Sequence, residues 1–76
     1  MIVHSKTKLF DTDFCDEIYR NGVIILFKSQ KTGEYFLVED KDSPKLMDVS
    51  FQELIDWAKV SIPSDVFKRE FGERTL

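Results

Sequence analysis

Hydrophobic and polar positions change their period along this chain. From Tyr19 to Asp40 the run "YRNGVIILFKSQKTGEYFLVED" is rich in β-branched and aromatic residues and carries two turn signals, Asn21-Gly22 and Lys31-Thr32-Gly33. Such a pattern predicts a β-hairpin. With Lys31-Thr32 central and Gly33 left-handed, a three-residue loop sets Gln30 against Glu34. Counting outward, Phe27 falls opposite Leu37 and Ser29 opposite Tyr35, while on the other face Leu26 falls opposite Val38 and Lys28 opposite Phe36. Both faces of "VIILF" are then apolar. A strand of that kind is covered on both sides, or covered on one and offered to a partner on the other.

The preceding stretch "DTDFCDEIYRNG" admits two readings. As a strand entering a two-residue Asn21-Gly22 turn, it would pair Ile18 with Ile25 but set Glu17 against Leu26 and Asp16 against Phe27, so that charges interrupt both apolar faces. As a helix it places Phe14, Cys15, Ile18 and Tyr19 on one stripe, with Asp16, Glu17 and Arg20 outward. Asp11 or Asp13 would cap its start and Gly22 would stop it. The helix accounts better for the charges and is the reading preferred here.

The flanking pieces are less ambiguous. "MIVHSKTKLF" predicts a strand at the sheet margin, with His4, Lys6 and Lys8 toward solvent. "DKDSPKLMD" reads as a polar loop broken by proline. In "VSFQELIDWAKV" Ser50 and Glu53 form a capping box, Val49 and Leu54 a hydrophobic staple, and Phe51, Leu54, Ile55 and Ala58 a buried stripe. After Pro63, "SDVFKREFGERTL" predicts a short helix burying Val66, Phe67 and Phe71 before Gly72. The order is β-α-β-β-α-α: an α+β single domain over residues 1–76, with a three-stranded, mostly antiparallel sheet and two or three short helices. The first strand is expected beside the third, antiparallel to it.

Composition adds a size constraint. A chain of 76 residues buries a modest share of its surface, and seven Phe, two Tyr and one Trp compensate for that. A lone Cys15, no signal-like segment and no long apolar run point to a complete, cytoplasmic, soluble protein with no membrane partner.

Candidate chemistry is sparse. His4 and Cys15 are the chain's only imidazole and thiol, and nothing in their spacing suggests a nucleophile and its base. Zinc lacks ligands, and the two acidic runs lack the glycine and the terminal glutamate of a calcium loop. Gly22, Gly33 and Gly72 are isolated and form no phosphate cradle. The expectation is therefore no enzyme, no metal and no cofactor.

Net charge is −3, which argues against a protein that lives on a phosphate backbone. The alternative of a nucleic-acid-binding regulator would use Lys6, Lys8, Lys28 and Lys31 with strand aromatics as a stacking platform. The preferred expectation is a small intracellular protein-binding module, with a homodimer as one form of partner. Ile24 and Leu26, backed by Phe36 and Val38, would anchor the contact together with Trp57, while Asp13, Asp16 and Glu17 form an acidic rim. Small motif-free chains of this kind are common among phage and mobile-element accessory products, including inhibitors, immunity proteins and regulators, an association of size alone.

Overall fold

The computed structural model describes residues 1–6 and 9–72. Among these the chain is α+β, with strands β1 (Ile2–His4), β2 (Leu9–Asp11), β3 (Cys15–Asn21), β4 (Ile24–Ser29), β5 (Tyr35–Glu39) and β6 (Lys45–Leu46). Helices α1 (Phe51–Ser61) and α2 (Ser64–Phe71) follow, and a single 3-10 turn, Thr12–Phe14, joins β2 to β3. The strands form one sheet in the order β2-β1-β6-β5-β4-β3. All neighbours are antiparallel except β1 and β6, which are parallel.

The expected helix over Asp11–Asn21 is instead the 3-10 turn followed by β3. Asp11 does cap a helical turn, accepting from the Asp13 N–H at 3.0 Å, but that turn ends at Phe14. Both turn signals are hairpin turns. Gly22, at φ 64, and Val23 connect Asn21 to Ile24 as a two-residue loop. A β-bulge between Glu17 and Tyr19 sets Asp16 against Lys28 and Tyr19 against Leu26, while Glu17 lies opposite Phe27 and Arg20 opposite Ile25, charged side chains that stay exposed because β3 is an edge of the sheet. The extra residue lets Ile18 and Tyr19 both pack on the helix-side core. Glu17 and Arg20 pair with each other at 3.7 Å, and Arg20 reaches Asp40 at 2.9 Å.

The second hairpin has a four-residue loop, not three. Ser29 closes against Glu34, its N–H donating to the Glu34 C=O at 2.9 Å, while the Ser29 hydroxyl accepts from the Lys31 and Thr32 N–H groups at 3.2 Å. The register is accordingly Leu26↔Leu37, Phe27↔Phe36 and Ile25↔Val38. A slip of one residue exchanges faces. Ile24 and Leu26 therefore lie on the side opposite Phe36 and Val38.

Two further expectations change. "MIVHSKTKLF" contributes two strands that pair with each other, His4 opposite Leu9. The first strand lies beside β6, formed by the Lys45–Leu46 pair within the expected loop, and not beside β5. The sheet thus has six strands among the described residues where three were expected.

The topology forces the sheet to roll. β2 and β3 are its two edges, and a flat six-stranded sheet would separate them by about 24 Å, five strand spacings. The connection from Asp11 to Cys15 covers only about 14 Å fully extended. The edges must therefore approach. Thr12 N–H and its hydroxyl both donate to the Met1 C=O, at 3.0 and 3.2 Å, and Gln30 N–H donates to the Phe14 C=O at 3.1 Å, tying the 3-10 turn to both sides of the opening.

Rolling produces two cores. Val3, Ile25, Phe27 and Val38 fill the concave side, with Cys15, Phe36 and Leu46 around them. Leu26 and Leu37 face the helices and meet Leu54, Ile55, Ala58, Ile62 and Phe71. The α1 start has the predicted capping box: Glu53 N–H donates to Ser50 Oγ at 3.1 Å and Ser50 N–H donates to Glu53 Oε1 at 3.0 Å. α2 lies where it was predicted, with Val66, Phe67 and Phe71 turned to the core.

Candidate functional site

The main concavity lies where β6 ends early. Met47 N–H donates to the Leu37 C=O at 2.9 Å, and Val49 N–H then donates back to the Met47 C=O at 3.1 Å. That tight reversal lifts the backbone out of the sheet toward the capped start of α1. It leaves an open groove of about 430 Å³, with Ser5 and Lys6 on one wall and the Tyr35–Leu37 end of β5 on the other. Met47, Val49 and Phe51 supply apolar lining. A second hollow of about 310 Å³ continues toward the hairpin tip, bounded by Gly33, Glu34, Tyr35 and Phe51.

Phe51 stands between the two hollows. The sequence places it on the buried stripe of α1, but it is 52% exposed while Leu54, Ile55 and Ala58 are buried. It is the first helical residue, and its ring meets the edge of Phe71 at 6.3 Å. Lys6 and Asp48 pair at 3.1 Å across the groove mouth, both more than four-fifths exposed. A pair so exposed contributes little to stability.

Beneath the groove Tyr35 anchors α2. Its hydroxyl donates to the Glu70 C=O and carboxylate at 3.0 and 2.9 Å, and it packs on Phe71 at 4.6 Å. Lys28 Nζ sits 5.3 Å from the Tyr35 ring centre and 3.8 Å from Glu70. Burial, followed by the hydrogen bond with Glu70, pushes the Tyr35 phenol above its ordinary range. Burial also raises the Cys15 thiol, assisted by the negative charges of Asp16 and Asp11. A nucleophilic cysteine requires the opposite shift.

The residues expected to bind a partner are not brought together. Leu26 and Val38 are both 0% exposed, on opposite sides of the sheet. Ile24 and Trp57 are half-buried against the helix-side core, and Phe36 stacks on Phe27 at 5.8 Å. The apolar residues expected to be uncovered are divided between two covered faces: the helices close over Ile24 and Leu26, and the roll of the sheet closes over Phe36 and Val38. Asp13, Asp16 and Glu17 are exposed as expected, but Gln30 donates to Asp16 at 2.9 Å and Glu17 faces Arg20. Among the lysines of the nucleic-acid alternative, Lys6 pairs with Asp48, Lys28 with Glu70, and Lys31 lies 5.1 Å from the Phe14 ring centre; Lys8 lies outside the described residues. His4 is exposed on β1, and Cys15 is half-buried at the start of β3, which does not pair with β1.

What sequence reasoning missed is the groove. Its signal was the apolar pair Leu46-Met47 and then Val49 inside a stretch otherwise typical of a solvated loop. Among the described residues no three His, Cys, Asp or Glu side chains converge as metal ligands, and no helix is long and apolar enough to cross a membrane. Compared with protein-family models, curated proteins and solved structures, the chain matches none.

Proposed function

We propose that this chain is a small, non-enzymatic protein-binding module that contacts its partner through the Phe51 groove. The observation that carries the reading is a half-exposed aromatic ring at the mouth of an open apolar groove, on a domain whose other large aromatic side chains on α1 and α2 pack against the core. Aromatic anchors flanked by apolar pockets are the usual centres of protein interfaces. The role this supports is that of an inhibitor, immunity or regulatory protein acting inside the cell by occupying a surface of its target. Ile24, Leu26 and Val38 have no part in the contact, because they are committed to the two cores.

The test is affinity capture from the source organism with the wild-type chain and Phe51→Asp side by side. The ring is exposed enough for the variant to fold, which far-ultraviolet circular dichroism checks. A partner retained by the wild type and lost from the variant supports the reading. Identical captured sets, or capture of nucleic acid that weakens with salt, would overturn it.

A further inference from the structure

We infer that the second hollow, between the β4–β5 hairpin tip and the start of α1, is a subsite for one guanidinium group, an arginine side chain on the partner's surface; this rests on the protein-binding reading above and states the chemistry of the contact. Its lining is Gly33, Glu34, Tyr35 and Phe51, around a volume of about 310 Å³. Ligand sites run from about 300 to 1,000 Å³, so this one has room for a single head group. The two side chains that matter are held on pinned backbone. Glu34 C=O accepts from Ser29 N–H at 2.9 Å and Glu34 N–H donates to Thr32 Oγ1 at 3.2 Å, which fixes the loop and leaves the carboxylate to solvent. Phe51 follows the Ser50 capping box, touches Phe71 by an edge contact and stays 52% exposed. Gly33, at φ 75, leaves open space beside them where a side chain would stand.

Charge selects the occupant. Glu34 carries the only formal charge in the lining, and among the described residues its carboxylate forms no ion pair. The lysines of the same hairpin are engaged elsewhere, Lys28 with Glu70 at 3.8 Å and Lys31 over the Phe14 ring at 5.1 Å. A carboxylate and the negative face of an aromatic ring attract the same ligand, a cation. An anion would be repelled by Glu34, and an apolar side chain would strip water from that carboxylate without replacing its hydrogen bonds. Between the two basic side chains the hollow suits arginine: its planar guanidinium stacks on a ring, forks onto a carboxylate and gives up water more readily than an ammonium. The chain itself shows the combination completed beside the hollow, where Lys28 Nζ lies 5.3 Å from the Tyr35 ring centre and 3.8 Å from the Glu70 carboxylate. Phe51 and Glu34 present a ring and a carboxylate without the cation.

The experiment titrates the full chain, labelled with nitrogen-15, with N-acetyl-argininamide, and compares the citrulline and lysine analogues of that probe. Citrulline keeps the shape of arginine and lacks its charge, so the comparison does not depend on any variant folding. Expected are saturable shifts at the Gly33, Glu34 and Phe51 amides with the arginine probe, about fivefold or more weaker binding of the citrulline probe, and a similar loss in Glu34→Gln and in Phe51→Leu. No saturable shift at tens of millimolar, shifts confined to other residues, or equal binding of citrulline overturns the subsite. A lysine probe that binds as tightly as arginine overturns the guanidinium assignment. In the capture experiment Glu34→Lys is set beside Phe51→Asp: a partner lost from Phe51→Asp but kept in full by Glu34→Lys overturns the arginine contact and leaves the protein-binding reading standing. If the arginine probe binds as expected while capture gives identical sets for wild type and Phe51→Asp, the subsite stands and its reading as a protein contact falls.

Discussion

Tyr35 carries more of the architecture than its half-buried position suggests. Its hydroxyl holds both the backbone and the carboxylate of Glu70, and a hydrogen bond to a charged acceptor contributes about 1.5–3 kcal/mol. Tyr35→Phe should lose roughly that much in urea denaturation, and a cost under about 0.5 kcal/mol would show that Glu70 is already satisfied by Lys28 at 3.8 Å and by Arg69, whose Nε lies 3.3 Å from its carboxylate. Cys15 makes a separate prediction. Its thiol is raised from the ordinary 9.0 by burial first, then by Asp16 and Asp11. A group whose folded value lies above its unfolded one contributes stability that is complete below the unfolded value and lost as pH rises through the folded value. The urea midpoint should therefore fall as pH climbs past 9.0, and Cys15→Ala should flatten the first part of that fall. Parallel pH profiles for the two proteins would contradict the assignment.

At the level of elements, the helices were legible in the sequence and the sheet only partly so. Ser50, Glu53 and Pro63 are local signals whose meaning needs no distant partner, and both helices begin where they direct. Ser50→Ala should cost about 1 kcal/mol in thermal or urea unfolding, the usual worth of such a cap. The segment from Cys15 to Asn21 depended on a bulge, which strict alternation cannot register: one inserted residue at Ile18 puts Ile18 and Tyr19 on the same core, and the edge position of β3 leaves Glu17 and Arg20 exposed although they lie opposite Phe27 and Ile25. The Lys31-Thr32-Gly33 turn was identified, but its loop holds one more residue, because the Ser29 side chain takes two loop amides. That single residue reversed the pairing of Leu26 and misplaced the proposed anchor. Backbone chemical shifts provide the check, with extended values expected from Cys15 to Asn21. The groove was illegible for a related reason. It exists because β6 stops after two residues, and the length of a strand is set by neighbours that sequence periodicity does not name.

For the whole molecule, the decisive property is closure. An apolar strand with helices on one side alone would leave several hundred Å² exposed, the kind of surface that marks an interface. Here the same chain buries that surface by rolling the sheet, since the short Asp11-to-Cys15 connection draws the two edges together. Closure predicts that substitutions on the concave side cost as much as those under the helices. Ile25 and Leu26 are adjacent in β4, both 0% exposed, and point to opposite cores. Each replaced by Ala should cost about 2–5 kcal/mol, a large share of the roughly 4–11 kcal/mol that a chain of this length commands. Leu26→Lys should unfold the monomer, because the cation would be buried without a partner. If the sheet were open, Ile25→Ala would instead cost no more than a surface change, within about 0.5 kcal/mol, and the chain would sediment as a dimer held by that face. Urea denaturation of the two alanine variants, with sedimentation equilibrium of the wild type, separates a rolled monomer from an open sheet covered by its twin.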